Sequence, residues 1–158
     1  KIDTHGGSIR IYIKKDKNVK IEKNVKELLK EEEKFGIKKF KTYQNFAEKV
    51  YKIKENVIKN LKNLKQKGET IVGYGAPAKA TTALNFFGIS KEIDYIIEDN
   101  KLKHKKFVPG VKIPIYSKEK IPKKKPLLLV LAWNFYDEIK KNNSKLSNNF
   151  INIKDLEK

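Results

Sequence analysis

The stretch TIVGYGAPAKATTALNFFG, residues 70–88, constrains the fold of this chain more than any other. It begins with a short apolar run typical of a buried strand, turns at Gly73 and Gly75, and continues with residues that favour a helix. Glycine has no Cβ, so the backbone can turn sharply there and approach a ligand closely. Pro77 suits the start of the helix, where its missing N–H is not needed. We therefore predict a strand, a tight turn and a helix, the beginning of an α/β unit.

The turn has the features of a phosphate-binding site. A helix that starts directly after it presents backbone N–H groups and positive partial charge, and Lys79 would add a full charge. The pattern from Gly73, G-Y-G-A-P-A, departs from the dinucleotide-binding fingerprint because it contains an inserted proline and has alanine in sixth place. Two interpretations stay open: a ligand-binding turn, or a tight connection without a ligand.

Strand and helix patterns alternate after the glycine turn. Residues 127–132 are continuously apolar, as expected when both faces of a parallel sheet are covered. This alternation predicts an α/β fold with an open, mainly parallel sheet flanked by helices. The predicted elements are strands at 93–97, 127–132 and 150–153, an extended segment at 111–116, and a helix at 135–141 capped by Asn134.

The first 67 residues predict one strand and two helices. Residues 8–13 alternate as a strand, and residues 25–35 form an amphipathic helix that Gly36 ends. A longer helix spans 42–67, with Thr42 as N-cap and Gly68 as its stop. Its apolar residues recur at steps of three and four and predict a core-facing stripe. The stripe consists of Tyr43, Phe46, Val50, Ile53, Val57, Leu61 and Leu64.

The composition excludes several classes of function. The net charge of +18 comes from lysines spread along the chain with one arginine, Arg10, whereas sites that read bases or clamp phosphates favour arginine. We therefore expect no nucleic-acid partner. The absence of cysteine excludes disulfides and cysteine metal sites, and no apolar run is long enough to span a membrane. These features fit a cytoplasmic protein. The lack of any methionine indicates a fragment of a longer chain.

Three loops converge at the carboxyl edge of the predicted sheet, where such folds bind ligands. They are residues 73–79, 98–100 and 133–136. Asp99 lies near the place of the ribose-binding acid in nucleotide-binding folds, although it would also suit the cap of the next turn. Trp133 offers a flat face for a ring, or simple packing. His5, beside two glycines, is either a functional or a structural residue.

Four stretches together carry a family resemblance: HGGSIRIY, GYGAPAKATTALNFFGI, IIEDNKLKHKKFVPGVKIPIYS and LVLAWNFYDEI. In this order they resemble the C-terminal domain of S-adenosylmethionine-dependent sugar-nucleotide C-methyltransferases. Such enzymes methylate a carbon of a keto-deoxysugar carried on a nucleoside diphosphate. Ala80 departs from the family, which commonly has glycine there.

The resemblance implies a Rossmann-like domain at 41–158, preceded at 1–40 by the last strand of a methyltransferase domain and a linker helix. S-adenosylmethionine and the zinc of an N-terminal domain would bind upstream, so the fragment would contain no catalytic residues and no metal site, and would be inactive alone. Its partners would be that missing methyltransferase domain and a nucleoside-diphosphate sugar. The alternative is a self-standing Rossmann-like module for nucleotides or CoA. The expected substrate-binding residues are Gly73, Tyr74, Gly75, Ala76, Pro77, Lys79, Asp99, Asn100, His104, Trp133 and Asn134.

Overall fold

A computed structural model describes residues 2, 7–16 and 18–158 of the chain. These residues fall into two compact units, which extend over Lys1–Lys49 and Val50–Lys158. The boundary predicted after residue 40 concerns the domains of a longer protein and stays a prediction. His5 lies outside the described residues.

The first unit contains helix α1, Lys23–Phe35, which ends as predicted at Gly36 in the left-handed conformation. The predicted strand at 8–13 is not formed: Ser8 makes an isolated antiparallel bridge to Ile2, and residues 9–13 belong to no strand. The side chains of Tyr12 and Ile13 are largely exposed. An alternating pattern needs a neighbouring strand to satisfy its backbone groups, and no described residue beyond Ser8 is paired in this segment.

Helix α2 spans Phe40–Gln66, and Gly68 follows with a φ of 80°, as expected for a helix stop. The prediction that Thr42 caps this helix is wrong, because Thr42 lies inside the first turn. Its hydroxyl instead donates a hydrogen bond to the carbonyl oxygen of Gly36, 2.9 Å away. Thr42 therefore closes the bend between α1 and α2 from within the second helix.

The apolar stripe of α2 is buried over only part of its length. Val57 and Leu61 are fully buried, and Ile53 packs partly buried against the same core. The prediction is wrong for Tyr43 and Phe46, whose exposed fractions are 54% and 66%. Periodicity identifies a helix face, but burial also requires a facing surface.

The second unit is built on a five-stranded parallel sheet with the strand order β3-β2-β1-β4-β5. Helix α3 connects β1 to β2, and helix α4 connects β4 to β5. This confirms the α/β fold with helices beside a parallel sheet. The elements are β1 Ile71–Tyr74, α3 Ala78–Phe87, β2 Tyr95–Ile97, β3 Ile115–Tyr116, β4 Leu127–Val130, α4 Tyr136–Asn142 and β5 Phe150–Asn152.

Both faces of the sheet are covered. In β4, Leu127 and Leu129 pack into the core shared with α2 and α3, whereas Leu128 and Val130 pack into a second core with α4. Alternate residues of a strand point to opposite faces, so a strand covered on both sides is apolar throughout. Among the described residues, no helix is both long and apolar enough to cross a membrane.

Candidate functional site

A cleft opens at the carboxyl edge of the sheet between β1 and β4. The chain passes from β1 to β2 and β3 on one side and returns to β4 and β5 on the other, so the topology reverses at this point. Open parallel sheets bind ligands at such a reversal. The cleft has a volume of about 460 Å³. Its apolar lining comes from Pro77, Ala132, Phe135 and Ile139, and its polar lining from Tyr74, Glu98, Asp99, Lys103, Lys118, Glu138, Asn142 and Asn143.

The two glycines of the turn have different tasks. Gly75 has a φ of 86° and lines the cleft, and its N–H donates to the carbonyl oxygen of Ile97 over 2.8 Å. Gly73 lies in β1, where a Cβ would come within 2.7 Å of Cγ1 of the buried Ile96. Glycine is therefore needed at 73 for packing inside the sheet and at 75 for the left-handed backbone of the turn.

Glu98, directly after β2, turns back onto the glycine turn. Its Oε2 accepts a hydrogen bond from the N–H of Ala76 at 2.8 Å, and its Oε1 accepts one from the N–H of Asn100 at 3.0 Å. The ammonium group of Lys103 lies 3.4 Å from Oε2 and donates to the carbonyl oxygen of Ala76 at 2.9 Å. Burial raises the pKa of Glu98, but these hydrogen bonds and the Lys103 charge outweigh it and lower the pKa overall.

Asp99 lies at the rim of the cleft in a second polar group. It accepts hydrogen bonds from the Tyr74 hydroxyl at 2.9 Å and from the Lys118 ammonium group at 2.7 Å. Burial raises the pKa of Asp99, but the bonds from Lys118 and Tyr74 lower it overall. Burial lowers the pKa of Lys118, but Asp99 and Tyr74 raise it overall. Both residues are therefore charged near neutral pH, and the rim presents a paired acceptor and donor.

Two other predicted site residues support the loop after β2. The side chain of Asn100 accepts a hydrogen bond from the N–H of Leu102 and caps the short 3₁₀ helix Lys101–Lys103. The His104 ring nitrogen Nε2 lies 2.7 Å from the backbone oxygen of Glu98. Neither side chain lines the cleft. Their contacts hold the loop that positions Glu98 and Lys103.

The remaining predicted residues lie beside the cleft and not along it. The Lys79 ammonium group is 5.8 Å from the centre of the Trp133 ring, and Trp133 packs against the core. Neither residue lines the cleft, and Asn134 does not either. The prediction that Asn134 caps a helix is wrong, because it lies within the 3₁₀ helix Trp133–Phe135 that precedes α4. The structure thus brings Tyr74, Gly75, Pro77 and Asp99 together in the cleft, with Ala76 held against Glu98.

Sequence reasoning missed several cleft residues. It placed Glu98 in a converging loop without a role, and it left out Lys103 and Lys118. A signal for Lys118 existed, since it follows the extended segment that forms β3, and the carboxyl ends of parallel strands share one edge. Phe135 lies in the converging loop 133–136, where it was given no role. For Glu138, Asn142 and Asn143, which line the cleft from α4 and the residue after it, the sequence carried no comparable signal.

The arrangement is suited to binding. The pKa values of Glu98 and Asp99 are lowered, the pKa of Lys118 is raised, and burial raises the pKa of Tyr74, so each of these shifts moves the group away from neutrality. Groups tuned for proton transfer are shifted towards the working pH. Within residues 2, 7–16 and 18–158, no three histidine, cysteine or acidic side chains cluster as metal ligands.

The environment of Glu98 leads to a prediction about acid stability. Because its pKa is lowered on folding, Glu98 contributes stability above its ordinary pKa of 4.5, and this stability is lost as the pH falls through the lower folded value. We expect Glu98→Gln to lose about 1 kcal/mol at neutral pH, since charge-assisted hydrogen bonds become neutral ones. The variant should also lose less stability than the wild type on acidification. Urea unfolding from pH 7 to pH 3 measures both effects, and parallel acid profiles would contradict the role of Glu98.

Comparison with known proteins agrees with the order of motifs in the chain. A family model described as the C-methyltransferase C-terminal domain matches residues 3–152. The chain is 33% identical over 150 residues to the C-methyltransferase NovU from Streptomyces niveus. That match covers 93% of this chain but 36% of the relative, so the chain spans about a third of the protein it resembles.

Proposed function

Because this chain belongs to the family of C-methyltransferase C-terminal domains, we propose that it is the substrate-binding domain of an S-adenosylmethionine-dependent sugar C-methyltransferase. Its ligand is a nucleoside-diphosphate keto-deoxysugar, held in the cleft at the carboxyl edge of the sheet. The proposed parent enzyme acts in the cytoplasm. Its methyltransferase domain is the proposed partner of this chain.

The observation that carries the proposal is the composition of the cleft. Pro77, Phe135 and Ile139 provide apolar surface for a ring, while Asp99 and Lys118 provide an acceptor and a donor of fixed charge at the rim. Ligand sites typically combine such apolar lining with a few placed polar groups. A sugar presents both apolar ring faces and hydroxyl groups, so it fits both parts of this lining.

We propose no binding site for S-adenosylmethionine or zinc, the two cofactors that the resemblance implies, among the described residues of this chain. The described side chains offer no zinc ligand set. At the glycine turn, the carboxylate of Glu98 already accepts the N–H of Ala76. We propose that S-adenosylmethionine supplies its methyl group from another part of the parent enzyme, and the residues of this chain bind and orient the sugar nucleotide.

Binding measurements on the 158-residue chain test the proposal. Two-dimensional ¹H–¹⁵N NMR spectra, recorded with dTDP-, UDP-, GDP- and CDP-sugars and separately with NAD and CoA, report which amides respond. We expect a nucleoside-diphosphate sugar to shift the amide signals of Tyr74, Gly75 and Asp99. If NAD or CoA shifts these signals and no sugar nucleotide does, the domain is a nucleotide or CoA module and the proposed function is wrong.

A further inference from the structure

The glycine turn already holds an anion from its own chain. The Glu98 carboxylate accepts the Ala76 N–H at 2.8 Å and the Asn100 N–H at 3.0 Å, while the Gly75 N–H is bonded to the Ile97 carbonyl oxygen. Backbone N–H groups at a strand-to-helix turn are the donors that phosphate groups use in nucleotide-binding folds. Two of these donors, at Gly75 and Ala76, are therefore occupied within the domain.

The positive charge of Lys103 beside the turn is also committed to this carboxylate. The Lys103 ammonium group lies 3.4 Å from Glu98 Oε2 and is hydrogen-bonded to the Ala76 carbonyl oxygen. The Glu98 side chain is only 13% exposed, and its lowered pKa keeps it ionised near neutral pH. A phosphate brought to the same donors would face a buried negative charge and would have to displace it from its hydrogen bonds.

The neighbouring carboxylate is in the opposite situation. The Asp99 side chain is 60% exposed at the rim of the cleft. Tyr74 bonds to one of its oxygens and Lys118 to the other. A carboxylate has about four lone-pair sites, so Asp99 retains capacity to accept hydrogen bonds from a ligand. Hydroxyl groups are the natural donors for such an acceptor, whereas phosphates are repelled by it.

We propose that Glu98 is an internal replacement for a bound phosphate, so that this cleft takes the hydroxylated part of its ligand at Asp99 and excludes phosphate from the glycine turn. Glu98 is then the residue that distinguishes this cleft from a dinucleotide-binding one with the same strand–turn–helix unit. The identity of the hydroxylated ligand rests on the proposed function; the exclusion of phosphate does not.

The test is a titration of the ¹⁵N-labelled 158-residue chain with inorganic pyrophosphate, read at the amide signals of Gly75 and Ala76. We expect no saturable shift in the wild type. Glu98→Ala vacates the donors and frees Lys103, so it should gain a saturable shift, with a Kd for pyrophosphate at least about tenfold below the lower limit that the wild-type titration sets. Glu138→Ala is the matched control, because it removes the same charge from the same cleft at a residue of α4 and leaves Glu98 in place.

A saturable pyrophosphate shift at Ala76 in the wild type overturns the proposal, as does a folded Glu98→Ala variant that gains nothing over Glu138→Ala. Should Glu98→Ala fail to fold, Glu98→Ser takes its place and the wild-type titration still decides whether phosphate is excluded. A wild-type response to pyrophosphate would leave the proposed sugar-nucleotide function standing, whereas a failure of every sugar nucleotide to shift Asp99 would remove that function alone.

Discussion

Replacing Val57 by aspartate is expected to cost roughly 3–5 kcal/mol of the free energy of unfolding. Val57 is fully buried in α2 and belongs to the core that this helix shares with α3 and one face of the sheet. A carboxylate there would lie among apolar side chains without a partner, or take up a proton at a similar cost. Domains are stable by only about 5–15 kcal/mol, so Tm should fall by on the order of 10 °C. Differential scanning calorimetry or thermal circular dichroism measures the change.

Ala47→Asp is the control for this variant. Ala47 lies in the same helix but is exposed, so the substitution makes the same change of charge without burial. Its expected cost is the lower helix propensity of aspartate, about 0.7 kcal/mol or less. Equal thermal stability of Val57→Asp and Ala47→Asp would show that α2 does not pack on the sheet as the structure has it.

Replacing Asp99 by asparagine is expected to weaken binding of the sugar nucleotide about tenfold to a hundredfold. The estimate follows from the loss of one hydrogen bond to a charged acceptor, roughly 1.5–3 kcal/mol. Asparagine keeps the size of the side chain but ends the ion pair with Lys118 and the negative charge at the rim. The Kd is obtained by NMR titration with whichever sugar nucleotide the wild-type chain binds best.

Two comparison variants isolate the role of Asp99. Asp137→Asn removes the same charge from an exposed position of α4 that does not line the cleft, and it should leave the Kd unchanged. Lys79→Ala tests the sequence-based prediction for that residue, which lies over Trp133 and outside the cleft lining. Weaker binding by Lys79→Ala, with unchanged binding by Asp99→Asn, would place the ligand on the helix side of the turn. This result would contradict the proposed binding site in the cleft.

The site shows how an α/β unit can keep its form and change its chemistry. The strand, glycine turn and helix follow one another in the order that nucleotide-binding folds also have, yet the donor at Ala76 is bonded to Glu98. The local sequence determines the turn itself. Glu98, which lies 22 positions after Ala76, changes what the turn can bind in our proposal. The more exposed carboxylate at the rim, Asp99, which retains acceptor capacity beside its bonds to Tyr74 and Lys118, is consequently the better candidate for contact with a ligand.

The sequence by itself determined the elements whose causes are local. Glycines with positive φ end α1 and follow α2. The continuous apolar run of β4 predicted a sheet covered on both faces, and β4 packs into a core on each face. The spacing after the glycine turn predicts Asp99 as a candidate, and the structure places it in the cleft lining; its role in binding stays a prediction. These features depend on backbone freedom and hydrophobic periodicity, which act over a few residues.

Only the tertiary structure decided which polar groups meet. Tyr74 and Asp99 are 25 residues apart, and Lys118 reaches Asp99 only because β3 is the neighbour of β2. Likewise, Val57 is buried and Phe46 exposed within one apolar stripe because burial depends on what faces the helix. Hydrogen bonds, ion pairs and burial depend on distances across the fold, and the spacing of residues along one chain does not contain those distances.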